Sequence, residues 1–217
     1  MTTTPTGLLV DWGGVLTQPP GNTMETWASE EGIDYEHYQQ LIASWLDPTS
    51  PMRQPSPVHA LERGEMEVPE FEKRLARRIR RLDRRSVEEA GLLTRMFRHF
   101  VLVPEMADLV AQLKATGVRT GLLSNSWGNS YPRAGWDVLF DVVVISGEVG
   151  MRKPEPAIFL YATDLLGVPL TDCVFVDDLS RNVEAAQALG LTAVLHRSYE
   201  ETRDELQRLF AITFADG

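Results

Sequence analysis

Three acidic side chains stand directly after short apolar runs, where a parallel β-sheet would bring them together. Asp11 follows the run at positions 7–10, and the pair Asp177-Asp178 follows the run at 173–176. Ligands bind at the carboxyl ends of the strands in such a sheet, so the three carboxylates would converge at one edge. Carboxylate oxygens suit a hard cation such as Mg²⁺, and a carboxylate can also attack phosphorus and form an aspartyl-phosphate.

A hydroxyl, an amide and an ammonium group occupy similar positions. Ser124-Asn125 ends an apolar run at 120–123, and Lys153 comes shortly after another run at 142–145. A hydroxyl, a lysine and a metal ion together could stabilise the negative charge of a phosphoryl-transfer transition state. The residue types therefore favour phosphoryl transfer at this edge of the sheet.

The elements that must position these groups are indicated by the spacing of apolar residues. Five short runs predict strands that begin at about Leu8, Val118, Val142, Cys173 and Thr192. Three stripes of apolar residues at helical spacing lie between these runs, and they end at Gly117, Gly167 and Gly190. This alternation predicts an α/β fold, with a Rossmann-like parallel sheet and helices on both faces.

The stretch from 18 to 100 differs from the rest because no buried strand is apparent in it. It contains a proline-rich interruption from Pro48 to Pro57, and a helical stripe formed by Phe71, Leu75, Ile79 and Leu82. We predict a small helical subdomain, 18–100, inserted into a core made of 1–17 and 101–217. Its hinges are expected at 17–21 and near Pro104.

With all of these segments in order, the sequence resembles the haloacid dehalogenase superfamily, most of whose members are Mg²⁺-dependent phosphatases. The matching pieces are Val10-Asp11-Trp12-Gly13-Gly14-Val15-Leu16, Leu122-Leu123-Ser124-Asn125, Lys153-Pro154, and Phe175-Val176-Asp177-Asp178 with Asn182. The resemblance covers nearly everything outside 18–100, which occupies the place of the family's helical cap of the first class. The Asp-x-Gly-Gly-Val-Leu opening is similar to a subgroup related to sugar-phosphate phosphatases and to the phosphatase domain of soluble epoxide hydrolase.

The resemblance implies a magnesium site. Asp11 is expected to be both the nucleophile and a metal ligand. Asp178 and the backbone carbonyl of Gly13 would be further ligands of Mg²⁺. Asp177 and Asn182 would hold these ligands in position without binding the ion themselves.

The resemblance also implies how a small phosphorylated metabolite would be bound. Ser124 would hold the transferring phosphoryl group, with Asn125 beside it. Lys153 would neutralise charge on the nucleophile and the phosphate. The helical cap would close over the substrate.

Gly13 departs from the family pattern, because most family phosphatases carry a second Asp there as general acid and base. Such a proton shuttle is typically worth ~10²–10⁴-fold in rate. Its absence leaves three explanations open: a substrate with a good leaving group, a substitute group from the cap, or a weakened or lost activity. A non-catalytic phosphate-binding or regulatory protein is therefore one alternative. A 2-haloacid dehalogenase is another, although the Asp177-Asp178 pair argues against it.

The amino-acid composition limits the kinds of molecule that the protein is expected to bind. The 217 residues carry 21 basic and 31 acidic side chains, and this net charge of −10 argues against binding to nucleic acids or anionic membranes. We interpret the basic run from Lys73 to Arg85 as a solvated helix face, and Trp127 as a packing residue with a pocket role as the alternative. With one cysteine, no secretory signal and no run long enough to cross a bilayer, the expected location is cytoplasmic.

Overall fold

A five-stranded parallel β-sheet forms the centre of the protein, in a computed structural model that describes residues 4–47, 56–128 and 130–215. The strands are β1 (Gly7–Val10), β2 (Arg119–Ser124), β3 (Val142–Ile145), β4 (Cys173–Asp177) and β5 (Thr192–Leu195). Their order is β3-β2-β1-β4-β5, and all four pairings are parallel. Each strand begins within one residue of its predicted position. The predicted α/β fold is confirmed.

Successive residues of a strand point to opposite sides of the sheet, so these buried strands give it two apolar faces. Helices cover both faces. Leu8 and Val10 face α6 (Pro104–Ala115) and α11 (Tyr199–Phe210) in one apolar cluster. Leu9 faces α9 (Pro156–Leu166) and α10 (Ser180–Leu189) in another. Both α9 and α10 end at the predicted glycines, in the left-handed conformation that glycine adopts readily.

The described part of segment 18–100 is helical. Its helices are α1 (Pro20–Glu31), α2 (Tyr35–Leu46), α3 (Pro57–Glu62), α4 (Val68–Ala76) and α5 (Leu92–Phe97). They pack around an apolar cluster of their own, in which Trp27, Phe71 and Leu92 are fully buried. The remaining short elements are α7 (Trp136–Leu139), α8 (Ser146–Val149) and a 3₁₀ turn at Leu170–Asp172. Within the described residues, every helix is too short or too polar to span a lipid bilayer.

The two ends of segment 18–100 are paired with each other. Thr17 and Leu102 form an isolated antiparallel bridge. The N–H of Gln18 donates to the carbonyl of Val101 at 2.8 Å. The chain therefore enters and leaves this segment through one two-stranded connection.

The predicted helical stripe from Phe71 to Leu82 is wrong beyond Ala76, where α4 ends. The following backbone bonds to the α1–α2 turn instead: the N–H of Asp34 donates to Arg80, and that of Leu82 donates to Gly32. Leu82 is consequently 74% exposed. Most of the basic run is exposed as expected, but only Lys73 and Arg74 lie on α4, and the residues from Arg77 to Arg85 follow the helix. Of the proline-rich interruption, 48–55 lies outside the described residues.

Candidate active site

The predicted site residues meet at the carboxyl edge of three adjacent strands. Asp11 follows β1, Ser124 ends β2 and Asp177 ends β4. β1 lies between β2 and β4, so the side chains at these three strand ends are neighbours. Asp11, Ser124, Lys153 and Asp178 also line one cavity. The sheet thus brings together groups that stand up to 167 residues apart in the sequence.

Lys153 is the centre of this arrangement. Its side chain is only 1% exposed, and its Nζ lies 2.9 Å from Asp11 Oδ1 and 2.6 Å from Asp177 Oδ2. Nζ also donates to the carbonyl of Leu123 at 2.8 Å. Burying a charge is unfavourable unless it is paired and hydrogen-bonded, and Lys153 satisfies both conditions. The two carboxylates raise the pKa of Lys153 against the effect of burial, so it is a cation.

Asn125 holds the backbone of Lys153 with both ends of its amide. Its Oδ1 accepts from the N–H of Lys153 at 2.8 Å, and its Nδ2 donates to the carbonyl of Lys153 at 3.0 Å. This residue therefore positions the lysine, and its amide group is already occupied.

Asp177 is the most fully bonded of the three carboxylates. Its Oδ1 accepts from the N–H of Leu179 and from Asn182 Nδ2, both at 2.9 Å, while its Oδ2 accepts from Lys153. The side chain is fully buried. Asp177 and Asn182 thus form a rigid support beneath the other two acids.

The carboxylates of Asp11 and Asp178 have less compensating positive charge and fewer hydrogen bonds than that of Asp177. Oxygen atoms of Asp11, Asp177 and Asp178 all lie within 4.8 Å of one another. Burial is the main cause that raises the pKa of Asp11 to about 7, and repulsion from the other two acids adds to it. Burial and the charge of Asp177 likewise raise the pKa of Asp178 to about 6. Lys153 alone leaves this cluster short of positive charge.

The donor set fits a hard divalent cation. Three carboxylates on one edge supply the oxygen ligands that Mg²⁺ prefers. In addition, Oδ1 of Asn182 is buried without a hydrogen-bond partner among the described residues, so the site holds an unsatisfied polar oxygen. A cation beside Asp11 and Asp178 would offset the repulsion that raises their pKa values.

Ser124 is held by a tyrosine that the sequence did not indicate. Ser124 Oγ lies 2.9 Å from the hydroxyl of Tyr131, which donates to the carbonyl of Asn125 at 3.3 Å. Because the tyrosine has one hydroxyl hydrogen, Ser124 is the donor in their bond. Burial raises the pKa of Tyr131 to about 12, so it stays protonated. No spacing rule would have found this contact, which depends on the path of the loop after β2.

The two glycines after Asp11 have different environments. Gly14 has a φ of 76°, and a Cβ atom there would lie 2.5 Å from Asp178 Oδ2. A side chain at Gly14 would therefore displace Asp178, which gives this glycine a role that the sequence did not reveal. Gly13 has no atom within 4 Å of its Cβ position, so the space for a side chain is present.

Segment 18–100 reaches the site through α3. Glu62 at its end accepts a hydrogen bond from Arg152 Nε, and both side chains are only 7% exposed. Ser146 Oγ donates to the backbone carbonyl of Glu62 at 2.5 Å. Arg152 directly precedes Lys153, so this buried ion pair joins the segment to the lysine of the site. The partners are 90 residues apart, and no pattern in the sequence indicates the pair.

A cavity of about 280 Å³ extends from the carboxylates toward segment 18–100. Trp127 lines it and also packs edge-on against Phe71, with ring centroids 5.6 Å apart. The residue therefore has both of the roles that the sequence left open.

Comparison with known proteins agrees with this geometry. Residues 6–190 match the family described as haloacid dehalogenase-like hydrolase. The chain is 31% identical over 110 residues to the phosphatase MT3486 of Mycobacterium tuberculosis, covering 48% of this chain and 51% of that protein. It is 32% identical over 120 residues to the N-acylneuraminate-9-phosphatase of Mus musculus, covering 52% and 48%.

A solved structure shows the same fold. It is that of a HAD family enzyme from Bacteroides thetaiotaomicron in complex with magnesium and inorganic phosphate, with a TM-score of 0.64, 22% identity, and coverage of 89% of this chain and 94% of that one. The chain spans about half of the length of the two phosphatases, and less than a quarter of the length of other curated relatives that it matches. Since the family match extends from β1 to the end of α10, the chain belongs to the haloacid dehalogenase-like hydrolases.

Proposed function

We propose that this hydrolase is a Mg²⁺-dependent phosphomonoesterase that acts on a small phosphorylated metabolite through an aspartyl-phosphate on Asp11. The observation that carries the proposal is the ammonium group of Lys153, which joins Asp11 and Asp177 at 2.9 Å and 2.6 Å on the edge that also holds Ser124. Further support comes from relatives that are named phosphatases, and from a structural relative that was solved with magnesium and inorganic phosphate.

The metal site would consist of Asp11, Asp178 and the backbone carbonyl of Gly13. Mg²⁺ bound there would supply positive charge to the phosphoryl oxygens and so assist attack at phosphorus. Asp177 and Asn182 would keep the ligands in place, because each is buried and they are hydrogen-bonded to each other.

Asp11 has one oxygen available for chemistry. Its Oδ1 accepts from the N–H of Trp12 at 2.7 Å and lies 2.9 Å from Lys153 Nζ. Its Oδ2 has no hydrogen bond from the described residues. In the proposed first step, the Asp11 carboxylate attacks phosphorus, the bond from phosphorus to the alcohol oxygen breaks, and the alcohol leaves. Water then attacks the aspartyl-phosphate and releases inorganic phosphate.

Ser124 and Lys153 would position the phosphoryl group. The Ser124 hydroxyl now donates to Tyr131 and can rotate to donate to a phosphoryl oxygen instead. Lys153 favours the ionised form of Asp11, since its charge is the main influence that lowers the pKa of Asp11 against burial. Positioning and charge stabilisation are the main sources of catalysis in phosphoryl transfer.

The leaving alcohol has no carboxylic acid at position 13 to protonate it. Glu62 is an acidic group that segment 18–100 contributes to the cavity, but it is bound to the guanidinium of Arg152. We therefore expect water to supply the proton. Esters with good leaving groups should then react faster than alkyl esters.

Replacing Asp11 with Asn tests the proposal. We expect Mg²⁺-dependent hydrolysis of p-nitrophenyl phosphate to fall by at least about 10³-fold, as for other nucleophile variants. Asp108→Asn is the matched control, because Asp108 is exposed on α6 and should keep normal activity. Full activity of Asp11→Asn, or of the normal protein in excess chelator, would contradict the assignment.

A further inference from the structure

The wall of the cavity that faces the carboxylates is apolar. Six apolar side chains from segment 18–100 contribute to it: Met24, Leu46, Val58, Met96, Phe97 and Phe100. They come from four different helices and the turn after α5, so the apolar character is a property of the whole wall. A substrate whose phosphate sits at the carboxylates would place its alcohol part against this wall.

Most side-chain polar groups among the described lining residues are hydrogen-bonded or lie near the carboxylates, and the buried Nε1 of Trp12 is an exception without a partner. Glu62 is bound to Arg152, the amide of Asn125 to Lys153, and the hydroxyl of Tyr131 to Ser124 and to Asn125. Arg181 also lines the cavity, and its charge lowers the pKa of Asp178 at the carboxylates as well as that of Glu62 in segment 18–100. Hydroxyl groups of a substrate would lose water at the apolar wall without gaining partners, which is unfavourable.

The volume limits the size of the alcohol part. The cavity measures about 280 Å³. An apolar cavity of about 150 Å³ is large enough to bind benzene, so the present one has room for a phosphoryl group and one six-membered ring. A long chain would extend beyond this volume.

We propose that the substrate is a phosphomonoester of an apolar, uncharged alcohol about as large as a six-membered ring, an inference that rests on the proposed phosphatase function. The apolar wall selects it by burying the ring, and the edge of the sheet binds its phosphate. Sugar phosphates are poor substrates on this account.

Two esters of matched shape test the inference. Cyclohexylmethyl phosphate and glucose 6-phosphate both place a primary phosphate ester on a six-membered ring, and they differ in the ring hydroxyls. Both leaving groups are primary alkoxides, so the missing proton donor affects them alike. We expect kcat/KM to be at least about 100-fold higher for cyclohexylmethyl phosphate, because several unpaired hydroxyls each reduce transition-state binding.

A pair of leucine variants tests whether the apolar wall causes the preference for the apolar ester. Leu46→Gln places an amide in the cavity wall and should reduce the ratio of the two kcat/KM values by about 10-fold. Leu82→Gln makes the same change on a 74% exposed residue of the same segment and should leave the ratio unchanged. The inhibition constant of inorganic phosphate should stay constant in both variants, which shows that the phosphate end is intact.

The outcomes separate this inference from the proposed function. If p-nitrophenyl phosphate is hydrolysed but glucose 6-phosphate is the equal or better ester, the apolar-substrate inference is wrong and the phosphatase function stands. If no phosphate ester is hydrolysed, the function is wrong. Calorimetric binding of the two esters to Asp11→Asn with Mg²⁺ then decides the inference: tighter binding of cyclohexylmethyl phosphate supports it, and equal or weaker binding overturns it.

Discussion

Several ionisable side chains at the carboxyl edge of the sheet are buried. Lys153 and Asp177 are almost completely buried and form an ion pair with each other. Asp11 and Asp178 lack that full compensation, and burial raises the pKa of both. The carboxylates of the site therefore carry more negative charge than the protein itself compensates. This property is expected of a metal-dependent enzyme.

Gly13→Asp should restore a proton shuttle. No atom lies within 4 Å of the Cβ position at Gly13, so a side chain can begin there without a clash. We expect kcat/KM for an alkyl phosphate to rise by about 10–100-fold and kcat/KM for p-nitrophenyl phosphate to change little, since kcat/KM reports formation of the aspartyl-phosphate and this leaving group needs no proton. Steady-state kinetics with both esters measures the difference.

The control for this variant is Gly21→Asp, which adds the same carboxyl group at another glycine with open space around its Cβ position. It should speed neither ester. An equal rise in kcat/KM for both esters in Gly13→Asp would show that proton transfer to the leaving group does not limit formation of the aspartyl-phosphate.

Most of the site could be predicted from the sequence because its members follow strands. Asp11, Ser124 and Asp178 each stand at or just after the carboxyl end of a strand, and parallel strands place such positions on one edge. Tyr131 and the Glu62–Arg152 pair could not be predicted. Their contacts depend on the path of a loop and on the docking of two segments, which leave no periodic pattern in the sequence.

At the scale of elements, α3 and α8 connect segment 18–100 to the sheet. The contact is tight enough that a Cβ at Gly64 would lie 2.5 Å from the carbonyl oxygen of Gly147. The buried Glu62–Arg152 pair lies beside this contact, next to Lys153 in the sequence. Strand positions were predictable from buried apolar runs, whereas the end of α4 was not, because the residues that follow it are hydrogen-bonded to the α1–α2 turn.

Removing one partner of the Glu62–Arg152 pair should destabilise the protein strongly. Glu62→Gln leaves the Arg152 charge buried and unpaired, and we expect a loss of about 3–5 kcal/mol in the free energy of unfolding. The double variant Glu62→Leu with Arg152→Met should recover much of that loss. Urea denaturation measures both.

The Glu70–Arg74 pair provides the comparison, since its side chains are 50% and 41% exposed. Glu70→Gln should cost less than about 0.5 kcal/mol. Similar losses for Glu62→Gln and Glu70→Gln would mean that the buried pair is not the contact that holds α3 in place.

At the scale of the whole molecule, two bodies of structure share one cavity. The sheet has apolar clusters on both faces, and segment 18–100 has a cluster of its own. The paired connection at Thr17 and Leu102 joins them. We propose that 18–100 is a cap on a core of 1–17 and 101–217, with hinge motion at this connection admitting substrate.

Binding of Mg²⁺ should stabilise the whole fold. A ligand at 100 times its dissociation constant adds about 2.7 kcal/mol, which corresponds to a rise of about 5–10 °C in Tm for a protein of this size. Scanning calorimetry with and without Mg²⁺ measures the shift. Asp178→Asn should abolish it and the exposed control Asp108→Asn should keep it. The same shift in both variants would place the ion elsewhere.

The most direct test of the central claim is mass spectrometry of the protein quenched in acid during turnover of p-nitrophenyl phosphate. We expect the mass of one phosphoryl group on the peptide that contains Asp11, because the missing proton shuttle also slows hydrolysis of the aspartyl-phosphate. The added mass should disappear in Asp11→Asn and in chelator. Turnover with phosphate attached to a different residue would contradict the assignment of Asp11 as the nucleophile.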